Sequence, residues 1–203
     1  MKRNRPLNEE KRKAIIKAAI KEFYNKGFDG SSMDSISTIA KVSKATVYNH
    51  FKNKEELFLH LATIFKERLE EAYKYTYDSK KDIEQQLFEI AKKEMNFLRK
   101  EENIKLIRIM TVVMVQRSNV GQKILDSTRD EYVIMTAKWF EDAKEDGKLD
   151  FEDSLFVAKQ FIGVIKSFAF IPQLYGAEII SEEEELKVIT KAIEMIKTMY
   201  MVN

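Results

Sequence analysis

Residues 43–51, SKATVYNHF, concentrate hydrogen-bonding side chains on one short segment. Hydroxyl, ammonium, amide and imidazole groups occupy most positions, and only Ala45, Val47 and Phe51 are apolar. Val47 and Phe51 are four residues apart, so on a helix they form one narrow stripe that can pack against a domain. The other side chains then face outwards, where they can reach phosphates or base edges of a nucleic acid.

Two short predicted helices, joined by a three-residue turn, would position this segment. Ser32 is the predicted N-cap of the first helix and Ser43 that of the second, because a hydroxyl there accepts from a free backbone amide. The turn is KVS, residues 41–43. This order is typical of a helix-turn-helix, whose second helix enters the major groove of DNA.

Further helices are predicted on both sides of this pair. An amphipathic helix is expected from a cap at Asn8 to a stop at Gly27. Another follows the pair, with Asn53 as its cap and Glu56 three residues later. Four helix starts therefore fall within residues 1–60.

Composition favours an all-α protein without disulfides. The 203 residues include only 6 Gly, 2 Pro and no Cys, and 44% are hydrophobic. Residues 1–60 carry 13 Lys/Arg against 7 Asp/Glu, whereas the rest of the chain is net acidic, so only the first quarter suits a polyanion. No apolar run is long enough to span a bilayer or to act as a signal peptide, which predicts a soluble cytoplasmic protein with no membrane partner.

The segment from about residue 8 to 65 resembles the DNA-binding domain of TetR-type transcriptional regulators. The family pattern is matched by KEFYNKGFDGSSMDSISTIAKVSKATVYNHFKNKEEL, in order and spacing. Two positions depart from it, since Lys41 and Ala45 stand where glycine is usual. Lys41 is therefore expected to adopt a positive φ, and the Ala45 methyl could touch a thymine methyl.

The resemblance implies a set of DNA contacts and a division of the chain. Thr46, Tyr48 and Lys54 are expected to contact phosphates, together with the amides that follow Ser32. Lys44, Ala45, Asn49 and His50 are the candidates for base edges or adjacent phosphates. Residues 1–54 would form the DNA-binding domain, with a connecting helix over about 54–75, and residues 76–203 a helical ligand-binding and dimerisation domain.

The C-terminal part shows helical periodicity. A helix over about 83–98 has an apolar face that is broken once, by Glu94. Residues 104–115 are apolar on nearly every face, which predicts a buried helix. The last two helices carry Phe161 and Ile193 among many apolar residues, and the resemblance implies that they form a homodimer interface, although some of these residues must close the core of the monomer.

Aromatic and Met side chains could line a cavity for an unidentified small-molecule effector, because such residues form adaptable apolar sites. An aromatic or Met residue that recurs at helical spacing is, however, more often part of the ordinary core. The pocket candidates are Phe97, Met110, Met114, Tyr132, Met135, Trp139, Phe161 and Phe168.

No cofactor, metal site or enzyme activity is expected. His50 and His60 lack the i+3 or i+4 partner that a helical metal site needs, and no catalytic constellation stands out. The favoured function is a ligand-responsive transcriptional repressor that binds a palindromic double-stranded DNA operator as a dimer and is released by a small apolar or amphipathic molecule. The alternatives are an architectural or scaffold DNA-binding protein that recruits a protein partner without an inducer, and an all-α enzyme that retains a degenerate helix-turn-helix.

Overall fold

A computed structural model describes residues 4–128 and 131–202 of the chain, with side chains at 8–126 and 133–202. Across these residues the chain is helical, and its only extended pairing is a single antiparallel bridge between Leu149 and Met201. The all-α prediction is confirmed. The helices are α1 Asn4–Lys26, α2 Met33–Ala40, α3 Lys44–His50, α4 Lys54–Ala72, α5 Ile83–Leu98, α6 Glu101–Val115, α7 Asn119–Thr128, α8 Glu131–Glu145, α9 Ser154–Ala169, α10 Ile171–Leu174 and α11 Glu182–Tyr200.

Most of the helix caps that the sequence predicts are present in the structure. The hydroxyls of Ser32 and Ser43 cap α2 and α3, and Ser181 forms a full capping box with Glu184 at the start of α11. The predicted cap at Asn8 is wrong, because α1 already begins at Asn4. Pro6 then falls in the first turn, where its missing N–H would have had no partner within the helix.

The chain divides into two compact units, one of Met1–Lys66 with Lys105–Arg129 and one of Glu67–Ile104 with Asp130–Asn203. The divisions fall inside α4 and α6. These units are defined by compactness alone, so the functional division at residues 54 and 76 remains a prediction.

The first unit has an aromatic core that holds α1 against α4. Phe23, Phe28 and Phe58 have ring centroids 4.9–5.9 Å apart, and Phe28 follows Gly27, which ends α1 with φ +71°. Arranged in this way, the rings fix the loop that leads from α1 to α2. In the same unit, Val112 and Val115 of α6 are exposed, so the predicted burial of this helix is incomplete.

The second unit is built around inward faces of α5, α8, α9 and α11. Trp139, Phe140 and Phe161 are among its largest buried side chains. Phe140 meets both other rings edge-on, at centroid distances of 5.2 and 6.0 Å. This packing resembles the interior of an ordinary helical domain.

Candidate DNA-binding surface

The turn between α2 and α3 has the predicted geometry. Lys41 adopts φ 55° and ψ 42°, the left-handed conformation, and its backbone N–H reaches the carbonyls that end α2. The N–H of Val42 donates to the Ser37 carbonyl at 3.1 Å. A residue other than glycine costs about 1 kcal/mol in this conformation, so the surrounding hydrogen bonds must hold it in place.

Helix α3 is anchored along one stripe only. Val47 and Phe51 are buried, as predicted, whereas Lys44, Ala45, Tyr48 and Asn49 are exposed and Thr46 and His50 are half-buried. Its C-terminal end is tied to α1 by Arg12, whose guanidinium lies 4.4 Å from the Phe51 ring centroid and donates to the His50 carbonyl at 3.4 Å. The six other residues of α3, on either side of Val47, are thus left at least partly exposed on a helix that is anchored at both ends of its buried stripe.

Charge around α3 is positive but partly paired. Lys44 forms an ion pair with Asp34 of α2, with Nζ–Oδ1 at 2.8 Å, and this contact raises the pKa of Lys44. Burial, Arg12 and Lys11 together lower the pKa of His50. The pairing of Lys44 with Asp34 is not evident from the sequence, because neither residue lies at helical spacing from the other.

Hydroxyl groups at the two helix starts are already engaged within the protein. The Thr46 hydroxyl lies 2.8 Å from that of Ser43, and Ser32 Oγ accepts from the Ser35 amide at 3.1 Å. Both hydroxyls remain at the protein surface, where a phosphate oxygen could add a further hydrogen bond. The structure thus leaves their predicted contacts open.

Lys54 has an unforeseen set of partners inside the protein. Its Nζ donates to the carbonyls of Phe28 at 2.6 Å, Asp29 at 3.3 Å and Ser31 at 3.0 Å, and lies 4.5 Å from the Phe28 ring centroid. An ammonium has three N–H donors, one for each of these carbonyls, so a phosphate near Lys54 would meet its charge rather than a free N–H. Lys54 therefore secures the loop between α1 and α2 in addition to its predicted place at the start of α4.

The candidate DNA contacts lie together, in α3 or at the adjoining helix starts of the first unit. That they touch DNA remains a prediction. The pocket candidates are more dispersed: Met110 and Met114 belong to the first unit, and Phe97, Met135, Trp139, Phe161 and Phe168 to the second. The side chain of Tyr132 lies outside the described residues.

Two openings in the second unit include pocket candidates. Phe168, which is 58% exposed, lines an open groove of about 350 Å³ between α9 and α11. Trp139 lines a cavity of about 50 Å³. Phe161 is fully buried within the core cluster. Neither opening is identified as an effector pocket, so the residues that would line such a pocket remain a prediction.

Helices α9 and α11, which correspond to the last two predicted helices, have separate inward and outward apolar residues. Phe161 of α9 and Ile193 of α11 are buried within the unit, whereas Phe156, Phe168 and Leu186 are exposed. Phe161 and Ile193 thus close the core of the monomer. The exposed residues are the ones that a second copy could cover.

Metal binding and membrane insertion find no support among the described residues. Within the described residues, no cluster of three or more His, Cys, Asp or Glu is arranged to hold a metal ion. No described helix is long and apolar enough to cross a membrane.

Comparison with known proteins agrees with this geometry. Residues 15–61 match the family described as bacterial regulatory proteins, tetR family, and residues 85–202 match the C-terminal domain of AefR-like transcriptional repressors. A TetR-family regulator from Pseudomonas syringae pv. tomato DC3000 superposes with a TM-score of 0.81 at 32% identity, over 95% of this chain and 97% of that one. The chain belongs to the TetR family of transcriptional regulators.

Two other similar proteins match over a shorter segment or at lower identity. The uncharacterized HTH-type regulator YhgD of Bacillus subtilis is 34% identical over 88 residues, 41% of this chain and 46% of YhgD, so the match spans less than half of that curated relative. AibR, solved with isovaleryl coenzyme A and operator DNA, shares the fold at a TM-score of 0.63 and 19% identity, over 92% of this chain and 97% of AibR. Since the family consists of transcription regulators, the chain is a regulator and not an enzyme.

Proposed function

We propose that this protein is a cytoplasmic, ligand-responsive repressor that binds a palindromic operator as a homodimer. The observation that carries the proposal is helix α3 with its C-cap residue Phe51, where only Val47 and Phe51 are buried and the other side chains are left for a DNA groove. The match of residues 85–202 to AefR-like repressors supports repression. AibR supports the pairing of a small molecule and operator DNA on this fold.

The proposed DNA contacts are of two kinds. Thr46, Tyr48 and Lys54 contact phosphates, as do the amides that follow Ser32, because hydroxyls, an ammonium and free helix amides all suit an anionic oxygen. The base edges are read from the exposed side of α3, by Lys44, Ala45, Asn49 and His50. Under this proposal residues 1–54 bind DNA, and residues 76–203 bind the effector and the second protomer.

Dimerisation would use the outward faces of α9 and α11. Phe168 is exposed beside the groove between these helices, and Phe156 and Leu186 extend the same apolar character. A homodimer has twofold symmetry, so its two α3 helices would meet two half-sites about 34–36 Å apart in a palindrome. A single helix-turn-helix contacts too little DNA for specific binding.

Selection of bound sequences from random DNA tests the proposal. The wild type should enrich a palindrome with half-sites one helical turn apart. Asn49→Ala should relax preference at one position per half-site, at a cost of about 1–3 kcal/mol. The matched control Thr46→Val should weaken binding to all sequences alike. Absence of any enriched palindrome would contradict the proposal.

One observation favours the scaffold alternative. The groove beside Phe168 is open and apolar, as a surface that receives part of a partner protein would be. Under this alternative a different protein would occupy the groove. Operator affinity would then be unaffected by any small molecule, and purified protein would be monomeric.

A further inference from the structure

Asp34 of α2 places a carboxylate beside the exposed side chains of α3. Both of its oxygens hold the ammonium of Lys44, with Nζ–Oδ1 at 2.8 Å and Nζ–Oδ2 at 2.9 Å. The same ammonium lies 6.0 Å from the ring centroid of Tyr48. Lys44 and Tyr48 are both proposed DNA contacts, so Asp34 puts a negative charge within the surface that is proposed to face a polyanion.

The ion pair between Asp34 and Lys44 contributes little to the stability of the fold. The two side chains are 63% and 59% exposed, and water screens a pair with that much exposure. The start of α2 is capped by the Ser32 hydroxyl, which accepts from the Ser35 amide at 3.1 Å. The carboxylate adds to this only the weak attraction of an acid for the first turn of a helix. Its charge can therefore be removed without unfolding α2.

The carboxylate cancels much of the attraction of Lys44 for a phosphate. A phosphate oxygen that accepts from an ammonium lies about 2.7–2.9 Å from the nitrogen. Since the Asp34 oxygens lie at the same distance from Nζ, such a phosphate would come within about 6 Å of a second negative charge and be repelled by it. Lys44 in this pair therefore adds little to the sequence-independent attraction between a protein and the phosphates of DNA.

An uncharged acceptor is affected differently. A base edge such as O6 or N7 of guanine carries no net charge, so a nearby carboxylate repels it far less than it repels a phosphate. An ammonium has three N–H groups, so Lys44 can hold both Asp34 oxygens and still donate to a third acceptor. The ion pair also restrains the flexible stem of the lysine. Both effects favour a base over a phosphate as the partner of Lys44.

We propose that Asp34 is a specificity-determining residue, which withholds Lys44 from phosphates and presents it to an uncharged base edge of the kind that guanine offers in the major groove. The inference rests on the proposed binding of DNA by α3. Recognition of an operator depends on the ratio of its affinity to that of other DNA, because a genome offers far more of the latter. Asp34 raises this ratio through repulsion, by weakening the binding of every other sequence.

Replacement of Asp34 by asparagine keeps the shape of the side chain and removes its charge. Fluorescence anisotropy at several salt concentrations would measure binding of a selected operator duplex and of a random-sequence duplex of the same length. Asp34→Asn should bind the random duplex at least fivefold more tightly, with a salt slope steeper by about 0.9 per protomer, because Lys44 then contacts a phosphate. Operator affinity should rise less than twofold. An unchanged or increased ratio of the two affinities would overturn the proposal.

Two controls separate this role from a simple change of net charge. Asp29→Asn makes the same change at an exposed position in the loop before α2, and it should strengthen binding of both duplexes by the same factor. In a Lys44→Met background, Asp34→Asn should also leave the affinity ratio unchanged, because no ammonium is released. A fall in the ratio in that background would overturn the proposal. Asp34→Ser repeats the test with a second uncharged side chain if Asp34→Asn does not fold.

The same measurements separate this inference from the proposed function. If the wild type binds DNA but selects no operator, the proposed repressor function fails, and the salt slope on random DNA still decides whether Asp34 withholds Lys44 from phosphates. If an operator is selected and the affinity ratio does not depend on Asp34, the repressor function stands and this inference is refuted.

Discussion

Replacement of Lys54 by alanine would test the double role of this side chain. The Lys54 ammonium donates to three carbonyls in the loop between α1 and α2. A hydrogen bond from a charged donor contributes about 1.5–3 kcal/mol net when buried. Because Lys54 is half-buried and water would replace part of the loss, we expect Lys54→Ala to lower the free energy of unfolding by about 2–4 kcal/mol in total.

The same variant should bind DNA less well irrespective of sequence. Loss of one phosphate contact per protomer lowers the slope of log affinity against log salt concentration by about 0.9. The cap of α4 is retained, because Asn53 Oδ1 accepts from the Glu56 amide at 2.8 Å independently of Lys54. Stability can be measured by thermal melting, where each kcal/mol corresponds to about 2–4 °C for a chain of this size.

Lys52→Ala is the matched control, because Lys52 is exposed in the turn just before α4 and, among the described residues, only its backbone N–H is hydrogen-bonded, to Glu56 Oε2 at 3.0 Å. It should change stability by less than about 0.5 kcal/mol. If Lys54→Ala melts like the wild type, the loop-holding role is refuted. An unchanged salt slope would instead refute the phosphate contact, so the two roles are judged separately.

Three other changes address the interface, a helix crossing and the pH dependence. Phe168→Glu should give folded monomers in light scattering with unchanged helix content, because Phe168 is exposed on the outer face of α9. Gly121→Ala should lower stability in urea titrations by about 1–3 kcal/mol, since an added Cβ would overlap the Val113 carbonyl oxygen and lie 2.9 Å from its carbon. Burial and Arg12 hold the pKa of His50 below its ordinary value of 6.5, so the native state binds fewer protons there and stability should fall as the pH drops below about 6.5. His50→Gln should lose less stability than the wild type between pH 7 and 5.

Each of these expectations has a contrary outcome. A Phe168→Glu dimer would place the interface elsewhere. Wild-type stability of Gly121→Ala would mean that α7 can shift away from α6 at little cost. Equal acid sensitivity of His50→Gln and the wild type would assign that sensitivity to other groups.

Local elements of the fold could be predicted because their causes are local. The caps at Ser32 and Ser43 each involve an amide three residues away, and the stripe of Val47 and Phe51 follows from one helical turn. The left-handed Lys41 was expected from the family pattern and is confirmed. Such features depend on neighbours within a few residues, which a sequence displays directly.

Other features depend on partners that are distant in sequence. Lys54 meets carbonyls 23–26 residues earlier, which no spacing indicates. In α9, Phe161 and Phe168 look alike in a helix that is apolar nearly all round, but only Phe161 faces the other helices of its unit. Glu94 is visible in the sequence as the single polar residue on the apolar face of α5, but the sequence does not show that its side chain is buried.

The position of the single tryptophan has a practical consequence. Trp139 is buried in the second unit, edge-on to the Tyr77 ring at a centroid distance of 5.5 Å. Its fluorescence therefore reports on that unit alone, whereas circular dichroism reports on the helices of both. If the two signals change at the same urea concentration, the units unfold together; if they separate, the difference measures the independent stability of the first unit.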